Sequence, residues 1–123
     1  MDFGNIKITG KQVVITPTNG MVWMTQHDIA DLMQCFVAKV NSNVRSILKS
    51  KLLDENKVCR THYYKNGNSV EQYNLEMIIA LSFRIRSYNA DAFREFIVRK
   101  VLAESSARQL LVYSNWNQDT RLN

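Results

Sequence analysis

The sequence predicts an α+β fold: a small N-terminal antiparallel sheet, a helix-turn-helix of winged-helix type with a β-hairpin, then two long helices. Three observations carry this. Short β-branched runs, broken at Gly10-Lys11 and at Asn19-Gly20, precede residue 25. Two short helical patterns then meet at a corner near Gln34-Cys35. A basic, aromatic β-type run over 58–64 follows, and residues 70–73 answer it across Asn66-Gly67-Asn68.

Taken in order, residues 6–9 and 13–16 alternate as strands and Gly10-Lys11 suits a hairpin turn. Pro17 and Asn19-Gly20 interrupt the chain and set up a third strand over 21–24. The helical pair is expected over about 26–50. Thr25 is its N-cap, with Asp28 three residues on in a weaker form of the capping box. Ile29, Leu32 and Met33 form one apolar face, and the small Ala30 lets a second helix approach. Val37, Val40, Val44, Ile47 and Leu48 repeat at the helical period. Leu52 and Leu53 are expected to tuck onto the core ahead of a polar loop over 54–57.

Beyond the hairpin, Leu75, Ile78, Ile79, Leu81, Phe83 and Ile85 are apolar on most sides and predict a buried central helix. Arg84 and Arg86 at its end complement the macrodipole. Ser87 or Asn89 caps the next helix, which presents Phe93, Phe96, Ile97 and Val101 on one face and continues through Leu110 and Leu111. One domain over 1–112 and a polar tail over 113–123 result, with Trp116 the large apolar residue of the tail.

An apolar content of 46% with 22% charged residues is that of an ordinary globular domain. No apolar run reaches the roughly 20 residues of a helical membrane span, and the first ten residues do not read as a secretory signal. Cytoplasmic location, with Cys35 and Cys59 reduced, is the expectation. Neither cysteine has a second within four residues, and His27 and His62 are isolated, so no metal or other cofactor is expected. Neither a nucleophile elbow nor a glycine-rich phosphate loop is visible, so neither an enzyme nor a small-molecule substrate is expected.

The net charge of +5 is unevenly placed. Lys39, Arg45, Lys49, Lys51, Lys57, Arg60 and Lys65 face only Asp54 and Glu55 over 36–65, while the remainder of the chain balances to zero. The whole surplus thus falls on the second helix of the pair and the segment after it. That helix turns Val37, Val40, Val44 and Ile47 inward and sets Lys39, Ser42, Ser46 and Lys49 on the opposite face, flanked by Asn43 and Arg45. Lysine, asparagine and serine can serve base edges, so Lys39, Ser42, Asn43 and Ser46 are the candidate base-facing residues. Arg45, Lys49, Lys51, Arg60 and Lys65 are the candidate phosphate contacts, Lys65 near the tip of a wing. Double-stranded DNA is the partner implied.

Blander readings stand beside these. The pair could be a helical hairpin in an ordinary core, and its basic face a solvated one. Gln34-Cys35 occupies a corner where glycine is usual, and Phe36-Val37-Ala38 begins the second helix with apolar residues. Phe36 could meet a thymine methyl, pack inward or join a protein interface. Phe36, Val37, Leu110, Leu111 and Trp116 are therefore the candidate interface residues, for a homodimer or for a protein-interaction module that does not read bases. Tyr63, Tyr64, Tyr73 and Tyr88 could stack on single-stranded bases or sit at the core edge.

The run YNLEMIIALSFRIRS from Tyr73, followed by AFREF at 92–96, resembles the RhuM-like virulence-protein family of bacteria. WMTQHDIADLM from Trp23 is similar to that family's W-x-T-Q-x-x-[I/M]-A-x-L pattern, and the likeness covers about 21–102. The resemblance implies a DNA-binding transcriptional regulator of a phage, conjugative element or genomic island. This chain departs from it at the corner, where the family typically has Gly-Val followed by polar and basic residues. It also departs at Ser82-Phe83-Arg84, where the family has Gly-Tyr-Arg, and at Phe96, where it has Trp.

Overall fold

The computed structural model describes residues 2–118, with side chains as far as Ser105. It is a mixed α+β arrangement. Strands β1 (Asn5–Thr9) and β2 (Gln12–Thr16) pair antiparallel with Ile6 opposite Ile15 and Ile8 opposite Val13, which directs all four to the core. Gly10 takes φ +60 in the two-residue turn between them.

The third strand expected over 21–24 does not form a ladder. Asn19 and Gly20 both take positive φ in a tight turn that bridges Thr18 to Met21. The residues beyond it pair with two other segments: Trp23 N–H donates to Phe3 O at 2.9 Å, and Met24 exchanges two hydrogen bonds with Tyr73. Extended backbone is therefore present, but its partners are too scattered to make a sheet edge. Gly4 permits this crowding, because a Cβ there would stand 2.7 Å from the Met21 carbonyl oxygen.

Helix α1 (Gln26–Met33) starts at Thr25, whose hydroxyl accepts from Asp28 N–H at 3.1 Å. It ends at Gln34, which adopts the left-handed conformation, φ 55 and ψ 52. Helix α2 (Val37–Lys49) follows and buries Val40, Val44 and Ile47. Leu53 packs against the core as expected, whereas Leu52 is 61% exposed, because Lys51 at φ 59 turns the chain before it. The polar loop expected over 54–57 is instead a short helix, α3 (Glu55–Val58), which Asp54 initiates by accepting from Asn56 N–H at 3.0 Å.

Strands β3 (Cys59–Tyr63) and β4 (Ser69–Tyr73) form the second hairpin, in register Cys59 to Tyr73 and Tyr63 to Ser69. Asn74 caps α4 (Leu75–Ser82), accepting from Met77 N–H at 3.2 Å. This central helix is short. It ends at Ser82, and Phe83 at its C-cap points outward, 59% exposed, although its apolar neighbours suggested a core position. Arg84 and Arg86 lie beyond the helix rather than in its last turn. Ser87 caps α5 (Tyr88–Gln118) by accepting from Ala90 N–H at 3.0 Å, while Asn89 donates to Leu32 O at the end of α1.

One apolar cluster joins all these elements, with Phe93, Ile29, Met33, Ile47, Met77, Ile78, Leu81 and Ile85 fully buried in it. Helix α5 enters through Ala90 and Phe93, with Phe96 and Ile97 at the edge. Val101, expected on the same face, is 58% exposed because the helix has left the domain by then. A non-glycine residue in the left-handed region costs about 1–2 kcal/mol. Gln34→Gly should therefore stabilise the fold by about 0.5–1 kcal/mol, the gain being reduced by a freer unfolded chain. A higher urea midpoint at unchanged slope is the expected result.

Candidate nucleic-acid interface

With Val40, Val44 and Ile47 buried and Val37 and Leu48 packed on the core margin, α2 exposes an arc roughly 160° wide at helical spacing. Lys39, Ser42, Arg45, Ser46 and Lys49 are exposed on it, and Asn43 is half-buried. Asn43 donates one amide proton to Lys39 O, 2.9 Å away in its own helix. Its carbonyl oxygen and second amide proton remain for an outside partner.

The sequence did not assign Arg84 to this arc. Its guanidinium donates to Ser46 Oγ at 2.9 Å, across 38 positions of chain, and so adds a cation to the α2 face. No local pattern could have found it, since only the packing of α4 against α2 brings the two together.

The five expected phosphate contacts are all exposed. Arg45 and Lys49 flank the arc, Lys51 is exposed just past its C-terminal end, and Lys65 is exposed in the turn of the second hairpin. Arg60, on β3, is exposed too and also packs on the protein surface. Its guanidinium lies over the Trp23 ring at 4.3 Å and 5.5 Å from the Phe3 centroid, and its Nε donates to Gln72 Oε1 at 2.9 Å. Gln72 is buried, so this bond satisfies an acceptor that water does not reach.

Among the candidate interface residues, Val37 packs against the core and Phe36 is 84% exposed at the N-cap of α2. The side chains of Leu110, Leu111 and Trp116 lie outside the described residues. Of the tyrosines considered for stacking, Tyr73 is a core residue whose hydroxyl accepts from Gln26 Nε2 at 3.1 Å. Tyr63, Tyr64 and Tyr88 are exposed. His62 lies edge-on between Phe3 and Tyr64, with centroids 4.9 and 5.0 Å away.

No family model, curated protein or solved structure matches this chain. Among the described residues, no group of His, Cys, Asp and Glu side chains is arranged to hold a metal ion. None of the described helices is long and apolar enough to cross a membrane.

Cys59 donates its S–H to Glu71 Oε2 at 2.8 Å across the hairpin. Burial, and then the Glu71 carboxylate, push its thiol up to about 12 from an ordinary 9.0. It stays protonated at neutral pH, which is the opposite of what a nucleophile requires. Cys35 and Tyr73 are also raised, each chiefly by burial. In the unfolded chain the thiols ionise near their ordinary value, while folded Cys59 holds its proton to about 12. Its stabilisation is thus fully present below pH 9.0 and is lost as pH rises towards 12. The urea midpoint should fall on going to alkaline pH, and Cys59→Ser should make that fall shallower. Arg60→Ala should lower stability by about 1–3 kcal/mol in urea titrations, through lost stacking and an unpaired Gln72. Arg60→Lys should restore little of it, since an ammonium lacks the planar stack.

Proposed function

We propose that this protein is a DNA-binding transcriptional regulator in which α2 lies in the major groove. The observation that carries the reading is the exposed arc of α2. Lys39, Ser42, Asn43 and Ser46 share it with Arg45 and Lys49, and Arg84 joins it from another element. A solvated helix surface has no need of a distant arginine brought onto it.

A winged helix-turn-helix is the architecture we favour. In that arrangement a short extended segment before the first helix pairs with the second strand of the hairpin that follows the second helix. The exchange of hydrogen bonds between Met24 and Tyr73 of β4 supports this pairing. The left-handed Gln34 supports it too, since it gives the corner between α1 and α2 the conformation that glycine usually supplies there. The resemblance to RhuM-like proteins supplies a context: a cytoplasmic regulator carried by a phage or other mobile element.

A second reading is a protein-interaction module, and it draws on α5. Phe83, Val98, Val101 and Leu102 are exposed around and along that helix, which suits a homodimer formed through it. The two readings are compatible, because two-fold symmetric readers bind paired half-sites as dimers.

Titration of a random-sequence duplex at about 50 mM and about 200 mM salt tests the first reading. Affinity should fall steeply with salt. Arg45→Ala and Lys49→Ala should each weaken binding on every sequence and lower the salt slope by about one. Salt-independent or absent duplex binding by the wild type would overturn the reading. A DNA-inert dimer in light scattering would establish the second.

A further inference from the structure

We infer that Phe36 reads a thymine methyl, so that the duplex sites preferred by this protein carry thymine where the N-terminus of α2 meets the bases. The inference rests on the DNA-binding reading above and names a determinant of its specificity. Phe36 is the N-cap of α2, with extended backbone (φ −73, ψ 143) and no side-chain capping bond. Its carbonyl accepts from Lys39 N–H at 3.0 Å, while its ring is turned out to 84% exposure. Of the three places open to this side chain, the core is thereby eliminated.

Its position on the helix decides what it faces. Phe36, Lys39, Asn43 and Ser46 fall at i, i+3, i+7 and i+10, a single line along α2. The ring thus heads the row of base-facing candidates, at the end of the helix that reaches base edges when such a helix enters the major groove. Asp31 and Gln34 line a shallow recess with Phe36 beside the corner. The Asp31 carboxylate disfavours a phosphate beside the ring, and an exposed phenyl ring favours an apolar partner. In the major groove that apolar group is the 5-methyl of thymine, against which phenylalanine packs. The phenyl ring has few rotatable bonds, so little entropy is lost when it is ordered on a methyl.

The experiment begins with selection of preferred duplexes from a randomised pool by the wild-type protein. The best site is then made with thymine and again with deoxyuridine, which lacks only the methyl, and both are titrated with wild type and Phe36→Ala. Wild type should bind the thymine duplex about fourfold more tightly for each methyl contacted. Phe36→Ala should bind the two duplexes equally while keeping the wild-type salt slope and thermal unfolding transition. Lys49→Ala should weaken both equally and keep the discrimination. A selected site without thymine, equal wild-type affinity for the two duplexes, or undiminished discrimination in Phe36→Ala would overturn the assignment. So would a change in self-association by light scattering in Phe36→Ala with discrimination intact, which would place Phe36 in a protein interface. Failure of the wild type to bind any duplex overturns the DNA-binding reading itself and is separate from these results.

Discussion

The end of β4, Tyr73-Asn74, is the junction on which the arrangement depends. Tyr73 exchanges backbone hydrogen bonds of 2.9 and 2.8 Å with Met24, which fixes the segment entering α1. Its hydroxyl accepts from Gln26, and the same Gln26 amide reaches Asn41 on α2 at 3.3 Å. Asn74 takes over at the next residue. Its backbone N–H donates to Val58 O, its side-chain amide donates to Lys57 O, and its carbonyl oxygen caps α4. Two consecutive residues therefore tie the N-terminal segment, the helical pair, α3 and α4. Both are buried, so each lost bond leaves a desolvated group costing about 1–3 kcal/mol.

With that junction set, the orientation of α2 follows. Val40, Val44 and Ile47 go into a core shared with α1 and α4, and the polar residues of α2 are left on the outside. The surplus of positive charge in the sequence is then sorted by structure. Arg60 stays exposed while lying over Trp23 and Phe3 and donating to Gln72, and Arg84 arrives from beyond α4 to stand on Ser46. A cation that charge counting did not single out thus joins the α2 face. Charge counting could locate the patch but could not name all its members.

Elements governed by local chemistry were legible before the fold was known. Both hairpins follow from alternation and turn residues, and the caps at Thr25 and Ser87 from side chains that accept from the first turn of a helix. What depended on distant partners was not legible. The 21–24 segment has strand character, but whether it forms a ladder depends on what lies beside it, and its neighbours come from both Phe3 and Tyr73. Phe83 and Val101 read as core because periodicity does not mark where a helix ends or leaves its domain. Asp54 to Lys57 read as loop because four polar residues carry no period, yet the Asp54 cap is enough to start a turn of helix there, and that turn takes in Val58 as well. In the candidate site, the outward arc of α2 was legible from its own spacing. The stacking of Arg60 was not, because Trp23 and Phe3 come from the N-terminal segment, distant in sequence.

The boundaries of α2 say something more about how the helix is held. Gln34 before it and Lys51 after it both adopt left-handed backbone, at φ 55 and φ 59. Glycine would take either conformation at lower energy. The chain instead places an amide at one corner and an ammonium at the other, at a combined cost of roughly 2–4 kcal/mol. Packing has to offset that strain, and the burial of Val40, Val44 and Ile47 is sufficient at about 1.5–3 kcal/mol for each side chain. The corners thus redirect the backbone sharply at both ends of α2 while each still carries a polar side chain beside its exposed face. A helix bounded in this way has its backbone fixed by its core face, which sets where its outward residues emerge. A backbone set in advance in this way leaves only side-chain rotamers to be ordered when the face meets a rigid surface.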